Sequence, residues 1–261
     1  MLRDEAAGDA AERAEADADE QPHGVMYEAL VVIASFAGGF VASLAGFGIG
    51  SLMTPLLAAR YGMKLAVPMV AIPHVVGTAV RFWALRKELD RHVLLTFGLT
   101  SAAGGLVGAV LHLWLAGRVL TLILAALLIF AGITGLFEVK LRFGPRSAWL
   151  AGALSGMFGG LVGNQGGIRA GAMLGFDVRK EAFVATATAV GLLVDGFRVP
   201  VYLVQQGDEL LGVWRLIAMA TVAVVVGTLV GRAVLGRIPE EKFRKVVSGL
   251  ILLLGISMIF L

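Results

Sequence analysis

The feature that most constrains this chain is a series of near-continuous apolar runs, such as 119–137 and 243–261, each close to the roughly 20 residues a helix needs to cross a bilayer. Inside hydrocarbon every backbone amide must be satisfied by the chain itself, so only helices and closed barrels span. Barrel strands alternate apolar and polar residues, and these runs do not. The spanning elements are therefore helices. With 58% hydrophobic residues and a mean hydropathy of +0.85, there is too little polar surface for a domain solvated all round by water.

The chain contains no cysteine, which excludes disulfides, thiolate metal sites and cysteine nucleophiles together. Its 35 glycines suit close helix crossings or broken helices in a membrane. The formal charge of +3 divides unevenly: residues 1–24 carry −6 and the remainder +9. Those bases sit in short loops between apolar segments rather than on one face, which argues against nucleic acid as a partner. The acidic stretch 1–24 lacks the basic start and apolar run of a signal peptide and reads as a disordered tail.

Ten apolar segments follow, at about 27–45, 48–59, 65–85, 93–115, 119–137, 147–163, 167–176, 182–204, 212–235 and 243–261. The second and seventh are too short to cross and each follows a glycine-rich break, so they are expected as half-helices or re-entrant pieces. An offset of 117 superimposes the breaks, AGFGIGSLMTPLL from Ala45 and GLVGNQGGIRAGAML from Gly160, and also pairs Gly39 with Gly156 and Arg81 with Arg198. An offset of 123 pairs Leu106-Val107-Gly108 with Leu229-Val230-Gly231 and Gly132 with Gly255. The reading is all-α: a polytopic membrane protein of two repeats, 25–137 and 138–261, with five segments each.

Cytoplasmic loops carry the excess of Lys and Arg. Loops 86–92, 138–146, 177–181 and 236–245 hold twelve such residues, and the loops assigned to the opposite side hold three. That distribution places the basic loops in the cytoplasm of a cell (inner) membrane protein, puts both termini outside, and inverts the two repeats. Inverted repeats with a discontinuous helix at matching places are the sequence signature of a secondary transporter, whose site lies between the repeats near the midplane.

With Gly46, Gly48, Gly50, Ser51 and Pro55 in its first break and a second glycine-rich half-segment at GLVGNQGGIRAGAML, the chain resembles the TauE/SafE family of sulfite and organosulfonate exporters over residues 27–261. The second break departs from the family's more usual glycine string and proline, carrying Asn164, Gln165, Arg169 and Ala170. The resemblance implies export of small sulfur oxyanions or related organic anions.

Helix N-termini attract anions, so the expected substrate site comprises Gly48, Gly50, Ser51 and Thr54 at the first break, Asn164, Gln165, Gly166, Gly167 and Arg169 at the second, and Arg198. Arg169 has two readings, a fork for an oxyanion or a side chain snorkelling to head groups. Snorkelling is the simpler account of Arg81, with a gate or vestibule role as the alternative. Asp195 stands three residues before Arg198, which fits a helical ion pair; as an intramembrane carboxylate it is also a candidate for proton coupling. His74, near the middle of its segment, is either a proton carrier or substrate donor, or a satisfied packing histidine. The four histidines form no ligand cluster, so neither metal nor cofactor is expected.

No constellation of nucleophile and base is present, and no catalytic residue is assigned. The expected function is a secondary transporter moving a small anion by alternating access. A passive anion channel and a non-transporting membrane scaffold remain the alternatives. Oligomeric state is not legible.

Overall fold

The computed structural model of the chain describes residues 2–139, 147–164, 166–173, 176, 179–234 and 240–261. Much of the basic loops 138–146, 177–181 and 236–245 lies outside them. The described residues fold as helices: α1 Leu2–Ala45, α2 Ile49–Leu85, α3 Arg91–Trp114, α4 Gly117–Leu136, α5 Ala148–Val162, α6 Gly166–Met173, α7 Lys180–Gly212, α8 Trp214–Val234 and α9 Glu240–Ser257. Seven helical stretches among them are long and apolar enough to cross a membrane, beginning with Gly24–Ala45 of α1. All four tryptophans, Trp83, Trp114, Trp149 and Trp214, are exposed close to helix ends, as side chains at the bilayer interface are. This is a polytopic helical membrane protein.

Segments 48–59 and 65–85, expected as separate, form one run in α2 that turns at Gly62, whose φ of 71° and ψ of 162° are not helical. Glycine takes that positive φ without a Cβ penalty, which lets the chain redirect without a loop. The first part of α2 folds back along α1. Ile49 packs beside Gly38, while the Tyr27 hydroxyl donates to the Leu56 carbonyl at 3.2 Å and the Tyr27 ring meets Tyr61 edge-on at 6.1 Å. The residues of α2 up to Gly62 thus fold back along α1 to the level of Tyr27.

Helix packing is set by glycines at which any Cβ would collide with a neighbouring backbone, the close approach that membrane helices use where no hydrophobic drive separates protein from lipid. On α3, Gly104 faces Ala153 and Gly108 faces Met157 of α5; on α8, Gly227 faces Phe36 and Gly231 faces Phe40 of α1. Gly156 of α5 lies on Ser101, and Gly39 of α1 lies on Val224. In every case the second contact follows from the first by the offsets 117 and 123. Gly132 on Leu252 and Gly255 on Ile129 reproduce each other in the same way across α4 and α9. These registers make α1 and α8 parallel, α3 and α5 parallel, and α4 and α9 antiparallel. The central pair, α2 and α7, runs antiparallel, since His74 reaches Asp195 while Arg81 reaches Thr188.

Candidate functional site

The two glycine breaks meet. Gly46 and Gly163 occupy equivalent places and share a left-handed conformation, φ 80° and 74°, that ends α1 and α5 sharply. Beyond them the Gly163 carbonyl rests on Gly50, and the Phe47 side chain packs on Gly166, so tight that neither glycine has room for a Cβ. Gly48 begins α2 at φ 145° against Val41. Ser51 and Thr54 are buried in the next turn, and Asn164 is buried between α5 and α6. Gly167 falls within α6, and Gln165 lies outside the described residues.

Next to this junction, α2 and α7 bring together the charged residues that hydropathy alone had placed near separate helix ends. Asp195, with no exposed surface, accepts from Arg198 Nε at 2.9 Å and Nη2 at 2.8 Å, and its other oxygen lies 2.6 Å from His74 Nδ1. Arg198 Nη1 donates to the Gly159 carbonyl at 2.6 Å. Arg81 donates through Nε to Thr188 Oγ1 at 3.1 Å and through Nη1 to the Ala42 carbonyl at 2.7 Å. Arg169 Nη2 donates to the Gly46 carbonyl at 3.2 Å, tying the second break to the first. Arg81 and Arg169 both feel the charge of Asp195, and Arg81 that of Arg169.

The snorkelling readings of Arg81 and Arg169 do not hold. At 7% and 3% exposure, both guanidiniums are bonded inside the protein rather than extended to head groups. Sequence position gives the depth of a side chain but not the side of the helix it leaves from, and both point inward. His74 is satisfied by its pairing with the Asp195 carboxylate, which fits a packing histidine and a proton carrier alike. The Asp195–Arg198 ion pair forms as the spacing predicts.

Among the described residues, four buried polar atoms around this cluster have no hydrogen-bond partner: Thr54 Oγ1, Thr78 Oγ1, Asn164 Nδ2 and Arg169 Nη1. Each is capable of donating. Leaving a buried donor unpaired costs about 1–3 kcal/mol, so the four together are costly unless an acceptor reaches them. Sequence reasoning missed Thr78, Thr188 and Gly191. Gly191 permits Arg169 to lie where it does, since a Cβ there would come within 2.9 Å of Nη1. The 117 offset was a signal for two of them, pairing Thr78 with Asp195 and Gly191 with His74.

A second polar group lies where α2 and α7 both bend. Gln206, non-helical at φ −133°, donates from Nε2 to the Lys64 carbonyl at 3.0 Å, two residues past the Gly62 turn. Lys64 Nζ donates to the carbonyls of His112 at 2.6 Å and Leu113 at 2.8 Å. An apolar groove of about 700 Å³ on the outer surface is lined by Val32, Phe36, Met219 and Val222.

The family model for the sulfite exporter TauE/SafE matches residues 31–258, most of the chain. The chain belongs to the TauE/SafE family. No curated protein and no solved structure matches it. TauE/SafE proteins are membrane transporters rather than enzymes, and the spanning helices seen here fit that class.

Proposed function

We propose that this TauE/SafE protein is a secondary transporter that exports a small anion, a sulfite, sulfonate or related oxyanion, by alternating access between two inverted repeats. The observation that carries the reading is the buried cluster: three arginines against one aspartate, with four unpaired donors, beside the meeting point of both helix breaks. Charge buried at membrane depth is costly and persists where it faces a partner or substrate. Here the surplus is positive and the free groups donate, which matches an oxyanion.

The inverted-repeat reading draws support from the recurrence of the glycine contacts at offsets 117 and 123 and from helix direction. Tyr27 lies by Tyr61 and Ala42 by Arg81, so α1 runs with the later part of α2; His112 at the end of α3 reaches back to Lys64, so α3 opposes it; and α5 runs with α3. Equivalent helices α1 and α5 are then oppositely directed. Rocking of one half against the other opens the cluster to either side in turn, with the bends at Gly62 and Gln206 absorbing the change. His74 and Asp195 are the candidates for proton coupling, and Arg81, bridging α1 to α7, for gating. The basic loops orient the protein in the cell membrane with both termini outside.

Efflux from proteoliposomes loaded with sulfite, thiosulfate or sulfate, with and without a pH gradient, tests this. Saturable flux that follows the gradient is the expected result. Unsaturable conductance indicates a channel, and no flux of any anion removes the transport reading.

A further inference from the structure

The cluster carries more positive charge than a single negative group offsets, and this rests on the anion-site reading above. Arginine stays protonated in proteins, so Arg81, Arg169 and Arg198 bring three charges and Asp195 returns one. At least two remain uncompensated, and a third is added whenever the His74 imidazole is protonated. Both carboxylate oxygens of Asp195 are already engaged, one by Arg198 and the other by His74. Among the described residues, no free carboxylate is left at the centre to receive an ammonium group. The space is also tight, since Gly191 and Gly163 stand against Arg169 and Arg198 and a Cβ at either would lie within 4 Å of the guanidinium.

The surplus arises from a difference between the halves. The offset of 117 pairs arginine with arginine at Arg81 and Arg198, but it pairs Asp195 with Thr78 and Arg169 with Leu52. One half thus adds an arginine without a counterpart, and the other leaves its acidic position as a hydroxyl. Thr78 Oγ1 is among the unpaired donors. We infer that the site is selective for charge state: it takes a compact divalent oxyanion, such as sulfite, sulfate or thiosulfate, and discriminates against monovalent sulfonates and zwitterionic aminosulfonates. A dianion neutralises the minimum surplus and offers acceptor oxygens to free donors. A monoanion leaves one charge buried and unpaired, and a zwitterion brings an ammonium group among cations.

Competition for binding to the purified protein in nanodiscs, at fixed ionic strength, tests charge selectivity with sulfate, thiosulfate, methanesulfonate and taurine. Sulfate and thiosulfate should bind at least about tenfold more tightly than methanesulfonate, with taurine weaker still. Methanesulfonate or taurine binding within tenfold of sulfate overturns the inference while leaving an anion site in place. Failure of every anion to bind overturns the site reading beneath it as well. Thr78→Asp, which cancels one charge of the surplus, should abolish the preference for sulfate over methanesulfonate, and Thr78→Asn, similar in size and neutral, should keep it. The wild-type comparison decides the question even if Thr78→Asp does not fold.

Discussion

Arg81 and Arg198 each send one Nη1 to a carbonyl 39 residues earlier in the chain, Arg81 to Ala42 at 2.7 Å and Arg198 to Gly159 at 2.6 Å. Each arginine therefore fastens the end of the helix that precedes its own half's break. What differs is the remaining partner. Arg81 turns its Nε to a neutral hydroxyl on Thr188, and Arg198 turns Nε and Nη2 to Asp195.

That difference sets an order of stability. Arg198→Ala leaves Asp195 buried with His74 as its remaining partner, and breaking a buried ion pair typically costs about 3–5 kcal/mol. Arg81→Ala removes two charge-assisted hydrogen bonds, but the Thr188 hydroxyl still donates to the Val184 carbonyl and the Ala42 carbonyl still accepts from the Gly46 amide, so the loss should be smaller, about 1–3 kcal/mol. Unfolding of both variants in the same detergent compares them directly. Equal losses would mean that the Asp195 pair contributes nothing beyond the shared carbonyl bond.

The unpaired donors separate binding from folding. Thr54→Val and Thr78→Val replace buried hydroxyls that have no partner, so stability should hold or rise slightly, because an unsatisfied polar group is removed with little change of shape. Anion affinity should fall in both. Thermal unfolding without anion, followed by titration with sulfate, gives the two readouts. Destabilisation with unchanged affinity would assign these hydroxyls to structure instead.

What the sequence made legible follows from what stands out in an apolar background. Arg81, Asp195 and Arg198 were visible because charge within a spanning segment is expensive, and the breaks were visible because glycines recur at one offset. Thr78, Thr188 and Gly191 carry no such signal, being small, uncharged and common in membrane helices. The continuity of α2 was hidden for a related reason: Arg60, Gly62 and Lys64 read as a loop, although the positive φ of Gly62 lets two helical limbs join there directly. The inward direction of Arg81 and Arg169 depends on how helices rotate against one another, which hydropathy does not encode.

The glycine contacts predict paired sensitivity. Gly104→Ala drives a methyl group into Ala153 of α5, and Gly227→Ala drives one into Phe36 of α1. Each should cost about 1–3 kcal/mol, as overpacking typically does. Gly117, with open space where its Cβ would be, is the control and should tolerate alanine. Stability of the three variants in detergent tests the equivalence. A loss at Gly104 with none at Gly227 would break the correspondence between the α3–α5 and α1–α8 interfaces.

The limb of α2 that folds back along α1 makes a prediction about sidedness, and the absence of native cysteine makes it clean to test, since any introduced thiol is the sole target. Val25 begins the membrane-crossing part of α1, and Arg60 ends the limb that folds back along it, level with Tyr27, whose ring lies 4.7 Å from the Arg60 guanidinium. Both are exposed, as is Lys87 just past the far end of α2. With the basic loops in the cytoplasm, a membrane-impermeant maleimide should label Val25→Cys and Arg60→Cys in intact cells and Lys87→Cys only after permeabilisation. Labelling of Val25→Cys without Arg60→Cys would instead make α1 and the start of α2 a single broken span. The two breaks would then no longer face each other across the bilayer's centre, and the anion site would lose the junction on which it is built.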